Sequence, residues 1–134
     1  MQSNVYTADM YLRLSEQDGD KVESNSIGNQ RELIKEFLKS KPEIQIHEER
    51  VDDGYSGVDF NRPAFQDMMA DIRAGKVNCV IVKDLSRFGR NFIESGKYIQ
   101  QIFPFMGVRF IAINDGYDSL YSNPSTDSLL VPVK

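Results

Sequence analysis

The chain has 134 residues, 40% hydrophobic and 27% charged, which fits one globular domain with a real core. A formal net charge of −4 and a pI near 5.0 exclude a domain that grips nucleic acid by bulk charge, so any work on phosphate needs a local cluster of cations. One cysteine, Cys79, permits no intramolecular disulfide; one histidine, His47, disfavours histidine-rich metal centres and Ser-His-Asp catalysis; no apolar run is long enough to cross a membrane. No N-terminal segment reads as a signal peptide, and a cytoplasmic setting is the expectation.

Tyr6, Ala8, Met10, Leu12 and Leu14 alternate with Thr7, Asp9, Tyr11 and Arg13, a period of two that predicts a first strand. A polar loop follows over 16–25. The stripe Ile27, Leu33, Ile34, Phe37 and Leu38, with Ser26 as N-cap, predicts a helix over 26–40, stopped by Lys41-Pro42. Residues 44–51 read as a second strand whose apolar side is Ile44, Ile46 and Val51. Its many charges put it at a sheet edge. The loop 52–61 holds two glycines and is read as mobile or tightly turned.

Arg62-Pro63 opens the next helix, with Phe65, Met68, Met69 and Ile72 buried and Gly75 as its stop. The β-branched run at Val80-Ile81-Val82 predicts a buried strand, and a polar loop bearing Arg87 and Arg90 follows. A helix is expected over 92–106, ended or kinked near Pro104, with Tyr98, Ile99, Ile102 and Phe103 inward. A strand over 108–113 and a loop over 114–127 come next. The apolar run 129–134 reads as the cut edge of a longer protein.

The order β-α-β-α-β-α-β implies an α/β fold, a mainly parallel sheet with helices on both faces, the first and third strands central. Ligands of such sheets bind at the carboxyl ends of the strands. There, Ser15, Arg13, Arg62, Arg87 and Arg90 can converge. Two guanidiniums make a fork for an oxyanion. A serine hydroxyl among them could attack a phosphodiester, with the arginines neutralising the charge that grows in the transition state. Asp53 or Gln30 could orient groups or accept a proton. The plainer readings are solvated surface arginines, a turn serine, and an Arg13 paired with Asp9 on the sheet face. Arginine-to-alanine changes at 13, 87 and 90 are expected to slow the chemistry with little loss of stability.

Tyr11-Leu12-Arg13-Leu14-Ser15, Asn29-Gln30, Asp53-Gly54-Tyr55-Ser56-Gly57, Asn61-Arg62-Pro63-Ala64-Phe65 and Lys83-Asp84-Leu85-Ser86-Arg87-Phe88-Gly89-Arg90-Asn91 stand in the order and spacing of the serine recombinase catalytic domain. The chain thus resembles the resolvase/invertase family, most of all its large recombinases and transposon integrases. The resemblance implies a three-layer, flavodoxin-like fold. It implies Ser15 as nucleophile, forming a 5′-phosphoserine link to DNA, with Arg13, Arg62, Arg87 and Arg90 on the scissile phosphate and Gln30 and Asp53 in support. It implies no cofactor or metal, double-stranded DNA at attachment or resolution sites as substrate, and homodimers and homotetramers of the full-length protein. It also implies a bacterial or mobile-element source, with a dimerisation helix and DNA-binding domains after residue 134. Ser86 departs from the pattern, since many small resolvases carry Asp there. Two other readings compete: a metal-dependent nuclease or phosphatase using Asp52, Asp53, Asp84, Asp115 and Asp118, and a non-enzymatic phosphate-binding module.

Overall fold

Residues 5–15 and 26–121 are described by the computed structural model; the expected loop over 16–25, the far part of the 114–127 loop and the run 129–134 lie outside it. Strand β1 (Tyr6–Leu14) shows how the sheet is built. Ala8, Met10 and Leu12 pack with Ile34 of helix α1 (Ile27–Leu38), and Tyr11 joins the core on the opposite face. Alternation of apolar and polar residues ordinarily leaves one face wet. Here Asp9, Tyr11 and Arg13 are each fully buried, so both faces are covered and the polar one is interior. Ser26 caps α1, its Oγ accepting from the Asn29 N–H at 3.1 Å.

Strand β2 (Ile44–Asp53) lies parallel to β1 at the sheet edge, as its charges implied. Its apolar side shrinks to Ile44, because Ile46 and Val51 are exposed. The pairing steps from Ala8–Ile46 to Asp9–Glu48, which leaves His47 as the extra residue of a β-bulge. Asp9 pairs with this strand and not with Arg13: Arg50 Nε donates to Asp9 Oδ2 at 2.7 Å, and His47 Nδ1 lies 3.0 Å from Asp9 Oδ1. Arg50 also reaches Asp71 on the next helix.

Helix α2 (Pro63–Arg73) buries Phe65, Met68, Met69 and Ile72, and Gly75 follows it at φ +79°. Strand β3 (Cys79–Val82) is buried throughout. The expected polar loop after it is instead one helical turn, α3 (Leu85–Phe88). Helix α4 (Phe92–Lys97) runs on through a π-helical turn (Tyr98–Ile102) into α5 (Phe103–Met106). The Phe103 N–H bonds the Tyr98 carbonyl five residues back, and the widened turn admits Pro104, which offers no N–H, without ending the helix.

Strand β4 (Arg109–Ala112) pairs parallel with β3. The expected loop from 114 begins as a 3₁₀ turn (Ile113–Asp115) and then forms a short strand, β5 (Tyr117–Asp118), antiparallel to β4. Arg109 holds it there with two bonds to the Asp118 carboxylate, at 2.7 and 3.0 Å. The sheet order is β2-β1-β3-β4-β5, with α1 on one face and α2 and the α4–α5 run on the other.

Phe88 pins the α3 turn to the core, with Phe60, Phe110, Phe65 and Phe103 rings 5.0–5.9 Å from its own. Phe88→Ala is expected to cost about 3–5 kcal/mol, read as a lower urea midpoint. Cys79 is fully buried, and burial pushes its thiol up to about 12. The native thiol should resist a thiol reagent at pH 8 and react once urea unfolds the chain. Because the unfolded thiol ionises first, this group should reduce stability as pH rises above the ordinary thiol value.

Candidate active site

Strands β1 and β3 are hydrogen-bonded neighbours, so their carboxyl ends open side by side. The first carries Arg13 and Ser15, the second runs into α3. Asp84 shapes that turn: its Oδ1 accepts from the Arg87 N–H at 3.0 Å and from Ser86 Oγ at 2.6 Å. With Phe88 driven into the core, Arg87 is buried and Arg90 exposed.

The two strand ends are interlocked by their arginines. Arg13 Nε donates to the Arg87 carbonyl at 3.0 Å, and Arg87 Nη1 donates back to the Arg13 carbonyl at 3.1 Å. Arg13 also donates to the carbonyls of Tyr55, at 3.1 Å, and Ser86. Gln30 of α1 grips the same residue's backbone, its Nε2 donating to the Arg13 carbonyl at 2.9 Å and its Oε1 accepting the Arg13 N–H at 3.3 Å. Ser15, 3% exposed, lies two residues further along.

Arg62 occupies the N-cap position of α2 and is 1% exposed. Its Nε donates to the Asp59 carbonyl at 2.8 Å; its Nη1 donates to the Phe88 carbonyl at 2.7 Å and to Tyr11 Oη at 3.0 Å. Its guanidinium lies 4.3 Å over the Phe60 ring, a cation–π contact. The 52–61 loop is tightly turned, with its Tyr55 and Asp59 carbonyls accepting from arginine side chains. Gly57 is what lets it close so tightly: a Cβ there would sit 2.7 Å from Arg13 Nη2 and 2.9 Å from Arg90 Cγ. The Arg90 N–H bonds the Gly57 carbonyl at 2.7 Å.

The structure thus brings Arg13, Gln30, Arg62 and Arg87 into one connected cluster at the strand ends. Arg90 joins it through its backbone, and Ser15 stands at its margin. Asp53 is on the rim, exposed at the end of β2 and paired in register with Leu14. Sequence reasoning named Tyr11 and Asp52 but missed the bond between them. Tyr11 Oη donates to Asp52 Oδ2 at 2.8 Å, and Asp52 also accepts from the Ala64 and Phe65 N–H groups at 2.9 and 3.0 Å, satisfying the first turn of α2. Burial pushes the Tyr11 phenol well above its ordinary value; Arg62 opposes this and Asp52 adds to it. The available signal was the aspartate upstream of a proline-started helix that lacks a Ser, Thr, Asp or Asn cap.

Four carboxylates of the metal-dependent reading have protein partners. Asp52 caps α2, Asp84 caps α3, Asp115 accepts from the Leu85 N–H at 2.7 Å and Asp118 binds Arg109. Among the described residues, no group of three or more His, Cys, Asp or Glu side chains is placed to hold a metal ion.

Comparison with family models matches residues 8–133 to the resolvase N-terminal domain. Among solved structures, a resolvase family site-specific recombinase from Streptococcus pneumoniae is 33% identical, with a TM-score of 0.71 over 93% of this chain and 83% of that one. The N-terminal catalytic domain of TP901-1 integrase superposes with a TM-score of 0.77 over 89% of this chain and 85% of that one, at 24% identity. The C-terminal catalytic domain of ISC1926 TnpA, an IS607-like serine recombinase, gives 0.64 over 79% and 68% at 22% identity. Curated protein sequences gave no match.

Three backbone carbonyls accept from Arg13, which gives this side chain a structural role that the expectation of little stability loss did not include. Arg13→Ala is expected to destabilise the domain by about 2–4 kcal/mol. Arg13→Lys should recover little of this, because an ammonium cannot span the three acceptors that a planar fork reaches. Thermal melting of both variants checks it.

Proposed function

The chain belongs to the resolvase family, and from that membership we propose that Ser15 is the nucleophile of a DNA strand-transfer reaction whose phosphate is held by Arg13, Arg62, Arg87 and Arg90. The protein is a site-specific recombinase enzyme, and the family acts on DNA through oligomers. The observation that supports the site assignment most directly is the reciprocal bond between Arg13 and Arg87, which gathers two guanidiniums at the strand end that leads to Ser15.

Ser15 Oγ attacks the scissile phosphorus and the bond to the 3′ oxygen breaks. The serine proton is lost as the phosphoserine ester forms, and the departing 3′ oxygen gains a proton. The link is at the 5′ end, and the reverse attack by a 3′-hydroxyl rejoins a strand. One ester replaces another, so the bond energy is conserved and no external energy source is required. The arginines supply what a hydroxyl attack on a phosphodiester lacks, positive charge on the non-bridging oxygens as it builds. Where a guanidinium N–H is already bonded to a backbone carbonyl, as in Arg13 and Arg62, that bond is exchanged for one to a phosphate oxygen. Gln30 holds the Arg13 backbone while that happens, and Asp53 supports from the rim.

The substrate is double-stranded DNA at attachment or resolution sites, and the acting species is a homodimer that pairs into a homotetramer. The acidic net charge supports a division of labour. Residues 1–134 carry the chemistry, and a dimerisation helix and DNA-binding domains after them carry assembly and address. No helix among the described residues is long and apolar enough to cross a membrane, and a cytoplasmic location accords with a DNA substrate.

In the full-length protein, Ser15→Ala should abolish covalent protein–DNA adducts on a nicked site while leaving DNA binding intact. Wild-type adducts should form equally in EDTA. Denaturing gels and a mobility-shift titration read both. Adducts persisting in Ser15→Ala would refute the nucleophile assignment, and loss of wild-type adducts in EDTA would favour the metal-dependent reading.

A further inference from the structure

We propose that Tyr11 is a positioning residue: its hydroxyl, held between Asp52 and Arg62, aims the Arg62 guanidinium at the scissile phosphate. The proposal rests on the assignment of Arg62 to that phosphate made above.

The phenol has one hydrogen to give. Its 2.8 Å contact is to Asp52 Oδ2, which as a carboxylate only accepts, so the hydrogen points there. A lone pair is then turned to Arg62 Nη1 at 3.0 Å. Burial keeps the hydroxyl protonated, which fixes this direction of donation across the working pH range. Asp52 cannot swing away, because the Ala64 and Phe65 N–H groups hold it as the cap of α2. The guanidinium is thus referenced to a helix terminus through one phenol.

The bonding of Arg62 is uneven in a way that suits a ligand. Nε and Nη1 are anchored by three bonds of 2.7–3.0 Å. Nη2 has only a 3.5 Å contact to the Gly57 carbonyl. The anchored side fixes the plane, with the Phe60 ring beneath it, and Nη2 is the end able to trade a weak acceptor for a phosphate oxygen. Packing alone does not account for the hydroxyl. The ring's edge contact with Phe65, at 5.9 Å, would be met by phenylalanine.

The test uses the full-length recombinase and single-turnover adduct formation. Tyr11→Phe should fold, bind its DNA site with unchanged affinity, and form adducts on the order of tenfold to a hundredfold more slowly, the range typical of groups that hold a ligand-contacting residue from behind. On DNA with a neutral methylphosphonate at the scissile position, Tyr11→Phe and wild type should approach the same rate, because the anionic oxygen that Arg62 serves is gone. In an Arg62→Lys background, Tyr11→Phe should add no further slowing. Equal slowing on both substrates, or multiplying effects in the double variant, would overturn the positioning role. If wild type does not cleave the methylphosphonate, the double variant decides; if Tyr11→Phe does not fold, Asp52→Asn takes its place with the same readouts. A wild-type rate in Tyr11→Phe, with adducts lost in Ser15→Ala, would remove this proposal alone. Adducts in Ser15→Ala would remove the reading beneath it.

Discussion

A guanidinium that leaves water must find acceptors for its five hydrogens, and it cannot shed its charge to escape the requirement. Around the carboxyl ends of β1 and β3 this requirement is met largely by backbone carbonyls. Arg13 takes those of Tyr55, Ser86 and Arg87, Arg62 those of Asp59 and Phe88, and Arg87 that of Arg13. The consequence runs outward from the charges to the chain. Carbonyls belong to loops, so the loop after β2 and the turn after β3 are folded around the arginines rather than merely carrying them. The tight approach at Gly57, the depth of Phe88 and the cap at Asp84 each serve that closure.

Carbonyl dipoles satisfy hydrogen bonds without cancelling a unit charge as a carboxylate would. A cluster built this way stays attractive to an anion, in a domain whose overall charge is negative. Two carboxylates among the described residues lie close to the arginines, and each is held by other bonds as well. Asp52 is linked to Arg62 through the Tyr11 phenol, and Asp84 gives its hydrogen bonds to the α3 turn with a longer ion pair, 3.9 Å, to Arg87 Nε. Local positive potential and global acidity coexist because the first is confined to the strand ends.

Much of the architecture was legible in the sequence because the signals are local. Ser26 announces α1, Pro63 and the Phe65–Ile72 stripe announce α2, and the β-branched run announces β3. Resemblance to a known catalytic domain then tied separate motifs into one fold, and the resolvase match and superpositions agree with it. What was not legible depends on tertiary partners. The alternation in β1 records polarity and not burial, so it does not reveal that Asp9 and Arg13 are interior. The α3 turn is too short to show a helical period and exists because Asp84 and Phe88 hold its two ends. β5 is two residues long and is fixed by Arg109. Tyr11 and Asp52 lie 41 positions apart, so no window of sequence reveals their bond.

The bulge at His47 works as a frameshift written in space. In a regular strand, Ile44, Ile46, Glu48, Arg50 and Asp52 would all turn to the α1 side, as Ile44 does. One inserted residue reverses the parity of everything after it, so that Arg50 stands beside Tyr11 in register and Asp52 beside Arg13. Arg50 can then meet Asp9, and Asp52 can meet both the phenol and the start of α2. The wiring of the strand ends is therefore set at an edge position several residues upstream. Deleting that single residue would keep the composition of β2 almost unchanged and yet point its carboxylate at the wrong layer.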